Sequence, residues 1–188
     1  MTDPNVRSTP SRTGRLKLVL IMLVFLAPIV AAGLLTLSGW QPQGKGNGQP
    51  IVPQRSLADV RVDVDGKPWA WRDSEPRLTL VALPGPGCAA ECVKTLALMR
   101  NARIVLNRNA DRLRLLYIGP EPTATDAATV MRDYKVGTDP ANAFDAFRPT
   151  GPDSVAAVLV ESNATALAWY PAGFDPNGLR KDLQKVIR

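Results

Sequence analysis

Two hydrophobic rhythms divide this chain. Residues 18–40 carry no charge and are dominated by Leu, Val, Ile and Ala. About 20 apolar residues suffice for a helix that crosses a bilayer, so this run predicts a membrane span. Pro28 and Gly33 interrupt it, and both residue types are tolerated in membrane helices. From residue 57 onward the apolar runs are shorter and broken by polar turns. Val60, Val62 and Val64 alternate with charged residues, Asp65 and Gly66 supply a turn, and 67–71 returns as the second strand of a hairpin. Trp69 and Trp71 are two apart and so share one face of that strand, as packing residues. LTLVAL at 78–83 and LRLLYI at 113–118 read as buried strands. Between them, Leu96, Met99, Ile104 and Val105 fall near helical spacing. Strand, helix, strand in so short a stretch predicts a crossover joining parallel strands. The loop 119–126 leads into a helix running to residue 134, with Thr125 or Asp126 as its cap. A strand at 155–160, a turn at Asn163, an antiparallel partner at 165–170 and a helix opened by Asp175 complete the pattern.

The order ββαβαββα predicts a thioredoxin-like α/β fold with an N-terminal hairpin, preceded by one transmembrane helix. The boundaries follow from composition: a cytoplasmic tail at 1–17, the span at 18–40, a flexible linker at 41–56 rich in Gly, Pro and Gln, and the domain at 57–188. Arg7, Arg12, Arg15 and Lys17 precede the span, whereas only Lys45 and Arg55 follow it closely. Positive-inside logic keeps the N-terminus cytoplasmic and sends the domain across. This predicts a single-pass protein of the cell inner membrane with its C-terminal domain in the periplasm. A cleaved secretory signal ending near Ala31 and Ala32 is the alternative, and the apolar run is long for one.

Charge changes the picture once it is located. The net charge is +6, but residues 57–188 carry 17 basic and 16 acidic side chains. The excess belongs to membrane topology, and no electrostatic footprint for nucleic acid remains. Arg100, Arg103, Arg108, Arg112 and Arg114 form a basic stretch that reads first as a solvated helix face.

The candidate chemistry is concentrated in Cys88 and Cys92, the only cysteines, in a chain with no histidine. They form a C-x3-C where a strand gives way to a helix. Such a turn offers backbone N–H groups and a positive dipole end, which favour a thiolate. On the exported side of a membrane a disulfide can persist. Residues four apart on a helix lie within disulfide reach. Cys88, nearer the loop, is expected to be the exposed attacking thiol and Cys92 the resolving one. A pair separated by so few residues constrains little unfolded chain. Its disulfide is therefore expected to be easily reduced, above the structural range of about −300 mV. A structural staple at the same place is the competing reading. Pro152, before the strand at 155–160, reads either as a cis-proline facing the cysteines or as an ordinary turn proline. Without His, no Ser–His or Cys–His nucleophile is possible. Asn163-Ala-Thr165 fits a glycosylation sequon, a pattern that also arises by chance.

Four segments resemble the SCO/SenC family of membrane-anchored, thioredoxin-fold proteins that help build the copper A centre of cytochrome c oxidase. They are VDVDGKPW at 62–69, the strand, Gly-containing loop and C-x3-C at 80–92, LLYIGPEPTATD at 115–126, and DSVAAVLV at 153–160. The resemblance implies copper ligation by two cysteines, at Cys88 and Cys92, and by a histidine near the position of Ser154. It also implies partners among cytochrome c oxidase subunits or copper-delivery proteins, besides the lipid bilayer. The chain departs from that pattern at the histidine, and at Ala90, where the family usually has proline. Two thiolates alone can still hold Cu(I), whereas Cu(II) asks for imidazole or oxygen donors as well. Met99 and Met131 could add a thioether, although Met99 reads first as ordinary core. These readings converge on thiol–disulfide exchange or transient Cu(I) handling. The alternative is a non-catalytic binding module with a structural disulfide.

Overall fold

Strand β4 (Leu78–Pro84) is buried along its whole length, as expected of an apolar run that must be covered on both faces. Its side chains divide by parity. Leu78, Leu80 and Ala82 join one hydrophobic cluster, while Val81 and Leu83 join the other. In the computed structural model, which describes residues 12–37 and 47–187, β4 lies at the centre of an eight-stranded sheet of order β1-β8-β7-β4-β5-β6-β2-β3. It pairs in parallel with β5 (Leu113–Ile118) and antiparallel with β7 (Val155–Val160). The crossover between β4 and β5 is α2 (Ala90–Ile104); of the residues read at helical spacing Leu96 and Met99 are buried, whereas Ile104 and Val105 are exposed.

The remaining strands are β1 (Gln49–Ser56), β2 (Asp63–Val64), β3 (Lys67–Pro68), β6 (Lys135–Thr138) and β8 (Thr165–Tyr170). β2 and β3 form the expected hairpin, with Asp65 at φ 51° and Gly66 at φ 74° in its turn. Trp71 is buried and donates its indole N–H to Val60 O at 2.6 Å. α2, α3 (Ala127–Met131) and α4 (Pro176–Val186) all contribute to the cluster on one face of the sheet. The opposite face is covered by Leu57, Val62, Trp71 and Phe144. Met99 is fully buried in the helix-side cluster, an ordinary core residue. Met131 is packed against the same cluster.

Three expectations are corrected. The linker expected at 41–56 ends early, because 49–56 is strand β1, paired with β8 at Gln49, Pro50, Arg55 and Ser56. Pro50 and Pro53 disguise it, since proline is tolerated in a strand only at a sheet edge or bulge, and β1 is the edge. The helix expected to run to residue 134 stops at Met131, and 135–138 becomes β6. Asp126 stands at the N-cap of α3 without a side-chain capping bond. The basic stretch is also less solvated than expected. Arg100 bonds Asp133, Arg103 donates to Leu113 O at 2.8 Å, and Arg114 stacks 4.8 Å from the Trp69 ring centroid.

Segment 47–48 is fastened to α4. Buried Asp182 accepts from the backbone N–H groups of Asn47 (2.6 Å) and Gly48 (3.2 Å) and from the Tyr170 hydroxyl (3.2 Å). Hydrogen bonds to a charged group contribute about 1.5–3 kcal/mol each, but water can take the place of the lost acceptor at exposed Asn47 and half-buried Gly48, so the cost falls mainly on the buried Tyr170 hydroxyl. Asp182→Ala is expected to cost about 2–3 kcal/mol in urea melts and to speed amide exchange across β1. Unchanged melting and exchange would show that the sheet edge does not depend on this fastening.

α1 (Arg12–Leu37) is 26 residues long and contains Pro28. It forms a unit of its own. Leu20, Ile21, Phe25 and Ile29 are among its exposed apolar side chains. Among the described residues no helix is long and apolar enough to cross a membrane. Residues 12–17 of the tail expected at 1–17 belong to α1; the rest of that tail at 1–11, the end of the expected span at 38–40 and the start of the linker at 41–46 lie outside the described residues.

Candidate functional site: a disulfide at a capped helix start

Cys88 and Cys92 are joined, with an S–S distance of 2.02 Å and Cα atoms 5.2 Å apart. β4 delivers Cys88 through the loop at 85–87, and α2 holds Cys92 in its first turn. Cys88 itself precedes the helix. Gly87, at φ 64°, turns the chain between the two elements in a conformation that side chains disfavour. Thr123 N–H donates to Cys88 O at 3.0 Å, so the loop after β5 pins the same residue from outside. Both cysteines are buried, Cys88 at 3% and Cys92 at 0% exposure. The expectation that Cys88 is an exposed thiol is therefore corrected. Its neighbours Pro86, Gly87, Ala90 and Glu91 are exposed.

The residue that sequence reasoning missed is Asp153. The N-cap of α2 is Ala89, which has no side chain able to cap. Asp153 supplies the cap from the loop before β7. One carboxylate oxygen accepts from Ala89 N (2.7 Å) and Cys92 N (3.0 Å), and the other from Glu91 N (3.0 Å). These bonds, to Cys92 first and then to Glu91 and Ala89, hold its carboxyl below the usual carboxylate range. The cap thus contributes fully above the ordinary carboxylate pKa, and its contribution is lost as pH falls through the depressed value. The amides expected to favour a thiolate already carry a carboxylate.

Asp153 is brought there by a continuation of the β4–β7 ladder. Gly85 N–H donates to Ser154 O (2.8 Å) and Asp153 N–H donates to Pro86 O (3.0 Å). Ser154, placed by the family resemblance near the histidine position, turns its hydroxyl to Gly151 O at 2.6 Å. The loop residue that reaches the cysteine helix is Asp153. Pro152 is an ordinary turn proline, since the cis peptide among the described residues is Val52–Pro53. Asn163 closes the β7–β8 turn, accepting from Thr165 N at 2.8 Å.

The donor set does not fit the copper centre implied by the resemblance. Both oxygens of Asp153 are engaged by backbone N–H groups, and the chain has no imidazole. Among the described residues no group of three or more His, Cys, Asp or Glu is placed to hold a metal.

A family described as transmembrane-like, thioredoxin-like, C-terminal domain matches residues 78–188. The chain belongs to that family. A companion description, transmembrane-like, N-terminal domain, matches residues 8–38. The family match spans the parallel β4–α2–β5 unit, both cysteines and Asp153, and supports the thioredoxin-like α/β fold. No curated protein matches the chain. Solved structures similar to it include Arabidopsis thaliana ScoI with copper bound, 14% identical, TM-score 0.47, covering 76% of this chain and 99% of that one. Bradyrhizobium japonicum ScoI with copper bound is 13% identical, TM-score 0.44, covering 74% and 98%. The exposed lipoprotein thioredoxin of Streptococcus pneumoniae is 14% identical, TM-score 0.42, covering 67% and 97%. Likenesses this distant do not bear on function.

Proposed function

We propose that this chain is a single-pass protein of the cell inner membrane whose periplasmic, thioredoxin-like domain exchanges disulfides through Cys88 and Cys92 during cytochrome c oxidase assembly. The observation that carries the exchange reading is the disulfide between the loop after β4 and the first turn of α2. The charge-free run at 18–40, the exposed apolar side chains of α1 and the transmembrane-like match at 8–38 support the anchor. The link to the oxidase rests on the four sequence segments that resemble the SCO/SenC family.

In the reducing direction the Cys88 thiolate attacks one sulfur of a substrate disulfide, and the other substrate sulfur leaves as a thiolate and takes a proton. Cys92 then gives up its proton and attacks Cys88, closing the Cys88–Cys92 bond and releasing the second substrate sulfur. Two electrons pass to the substrate, and a dithiol donor restores the pair.

A Cys92→Ala chain stops this sequence at the mixed disulfide. In membranes it is expected to accumulate a disulfide-linked adduct through Cys88 with an oxidase subunit or a copper-delivery protein. An extracytoplasmic reporter fused to the C-terminus is expected to be active. Adducts with many unrelated proteins would detach the domain from oxidase assembly. No adduct at all would favour the second reading, a binding module with an inert disulfide, for which the burial of both cysteines speaks. Activity only of a cytoplasmic reporter would overturn the topology.

A further inference from the structure

We propose that Asp153 sets the direction of this pair, holding it to the reducing side by fixing a carboxylate charge on the amides that would otherwise receive sulfur charge. This deepens the exchange reading above, on which it rests, by assigning the direction of electron flow. To act as an oxidant, the Cys88–Cys92 bond must be broken by an incoming substrate thiolate. One of the two sulfurs then leaves as a thiolate. Exchange is faster when the leaving thiol has a low pKa. Helix N-termini lower cysteine pKa values through their free N–H groups and dipole. Here the N–H groups of Ala89, Glu91 and Cys92 all donate to Asp153, at 2.7–3.0 Å. A leaving sulfur at either cysteine finds those amides taken and a carboxylate at the same helix end.

The other charged groups around the pair do not reverse this. On α2, Glu91 is paired with Lys94 at 3.2 Å. Glu121 and Asp126 lie in the loop whose Thr123 bonds Cys88 O. Arg148 faces the end of β4 from the sheet side, but donates to Ile118 O (2.9 Å) and Pro84 O (3.4 Å). From α4 and β8, Asp182 and Tyr170 bond each other at 3.2 Å. The surroundings favour neutral thiols in the reduced state. A thiol of high pKa is the stronger nucleophile once ionised and the poorer leaving group. Both properties favour giving electrons to a substrate disulfide over taking them from a dithiol. Asp153 is thus a positioning residue: it touches no reacting atom and acts through the amides around the sulfurs.

The test uses the full chain in detergent micelles, as wild type, Asp153→Asn and Asp153→Ser, the neutral side chains of both variants being able to cap a helix. The reduced chains are alkylated with iodoacetamide across pH, and the oxidised chains are opened with excess glutathione at pH 7. The wild-type alkylation midpoint is expected at or above about 8.5, the value of free cysteine. Both variants are expected to lower it by about one unit, raising alkylation at pH 7 about tenfold. Opening by glutathione is expected to speed up several-fold in the same variants. A cap with a purely structural role would alter melting and leave the alkylation midpoint in place. A midpoint unchanged within about 0.3 unit, with unchanged opening rates, overturns the assignment. If neither variant folds, the wild-type profile decides, and a midpoint below about 7.5 overturns it. None of these readouts depends on whether the trapping experiment finds a partner, so the two readings fail separately.

Discussion

Gly85→Ala is expected to lower the stability of the domain by about 3 kcal/mol, far more than its single methyl group suggests. A Cβ at this position would lie 2.4 Å from Gly151 O, 2.7 Å from Ser154 Oγ and 3.1 Å from Pro149 O. The first of these is backbone, so relief requires the loop 149–154 to move away from β4. That movement breaks the bond from Gly85 N–H to Ser154 O and, with it, the placement of Asp153 over α2. The variant should therefore lose stability in urea melts and also show the raised Cys88 reactivity expected of the Asp153 variants. Gly87→Ala makes the control. Gly87 also shapes the loop, but a Cβ there meets nothing within 4 Å, and the strain comes only from its φ of 64°. Its cost should be about 1–2 kcal/mol, with the cysteine reactivity unchanged. Equal effects from the two substitutions would show that the close approach of the loops is not what holds Asp153.

The elements that position the cysteines were legible because their signals are local. The apolar runs of β4, β5 and β7 are long enough to announce buried strands, and the helix of the crossover shows in Leu96 and Met99. Asp175 caps α4 as read, accepting from Asn177 N and Gly178 N. What escaped depends on distant partners. β1 looks like a linker because two prolines break its pattern, and it is a strand only where β8 offers an edge. β6 is four residues long and is held between β5 and β2. Asp153 escaped for a related reason. Ala89 and Ala90 open α2 where a capping residue belongs, so the missing cap could be read from the sequence. Which residue fills it could not, because Asp153 lies 61–64 residues from the amides it binds. The same omission made the helix start look free to stabilise a thiolate.

Removing both sulfurs separates redox work from a staple. The Cys88→Ala, Cys92→Ala chain is expected to lose all disulfide exchange and all mixed-disulfide capture. Stability should fall far less. In the chain-entropy account, a loop as short as this one constrains the unfolded chain by about 2 kcal/mol. The loss of two buried sulfurs adds about 1 kcal/mol more, since each leaves a small cavity in the helix-side cluster. The other fastenings of this corner remain: Asp153 on the α2 amides, Thr123 on Cys88 O and Gly85 on Ser154 O. The α2 helix should therefore still form, and the chain should melt cooperatively, about 3 kcal/mol less stable than the wild type. A staple would behave differently. If the disulfide is what closes this corner, the double variant loses more than about 5 kcal/mol or fails to fold, and α2 amides exchange as in an unfolded chain. Melting in urea, with amide exchange across 90–104, tells the two apart. A loss held to about 3 kcal/mol, with α2 still protected, beside a complete loss of exchange is the result that assigns the pair to chemistry.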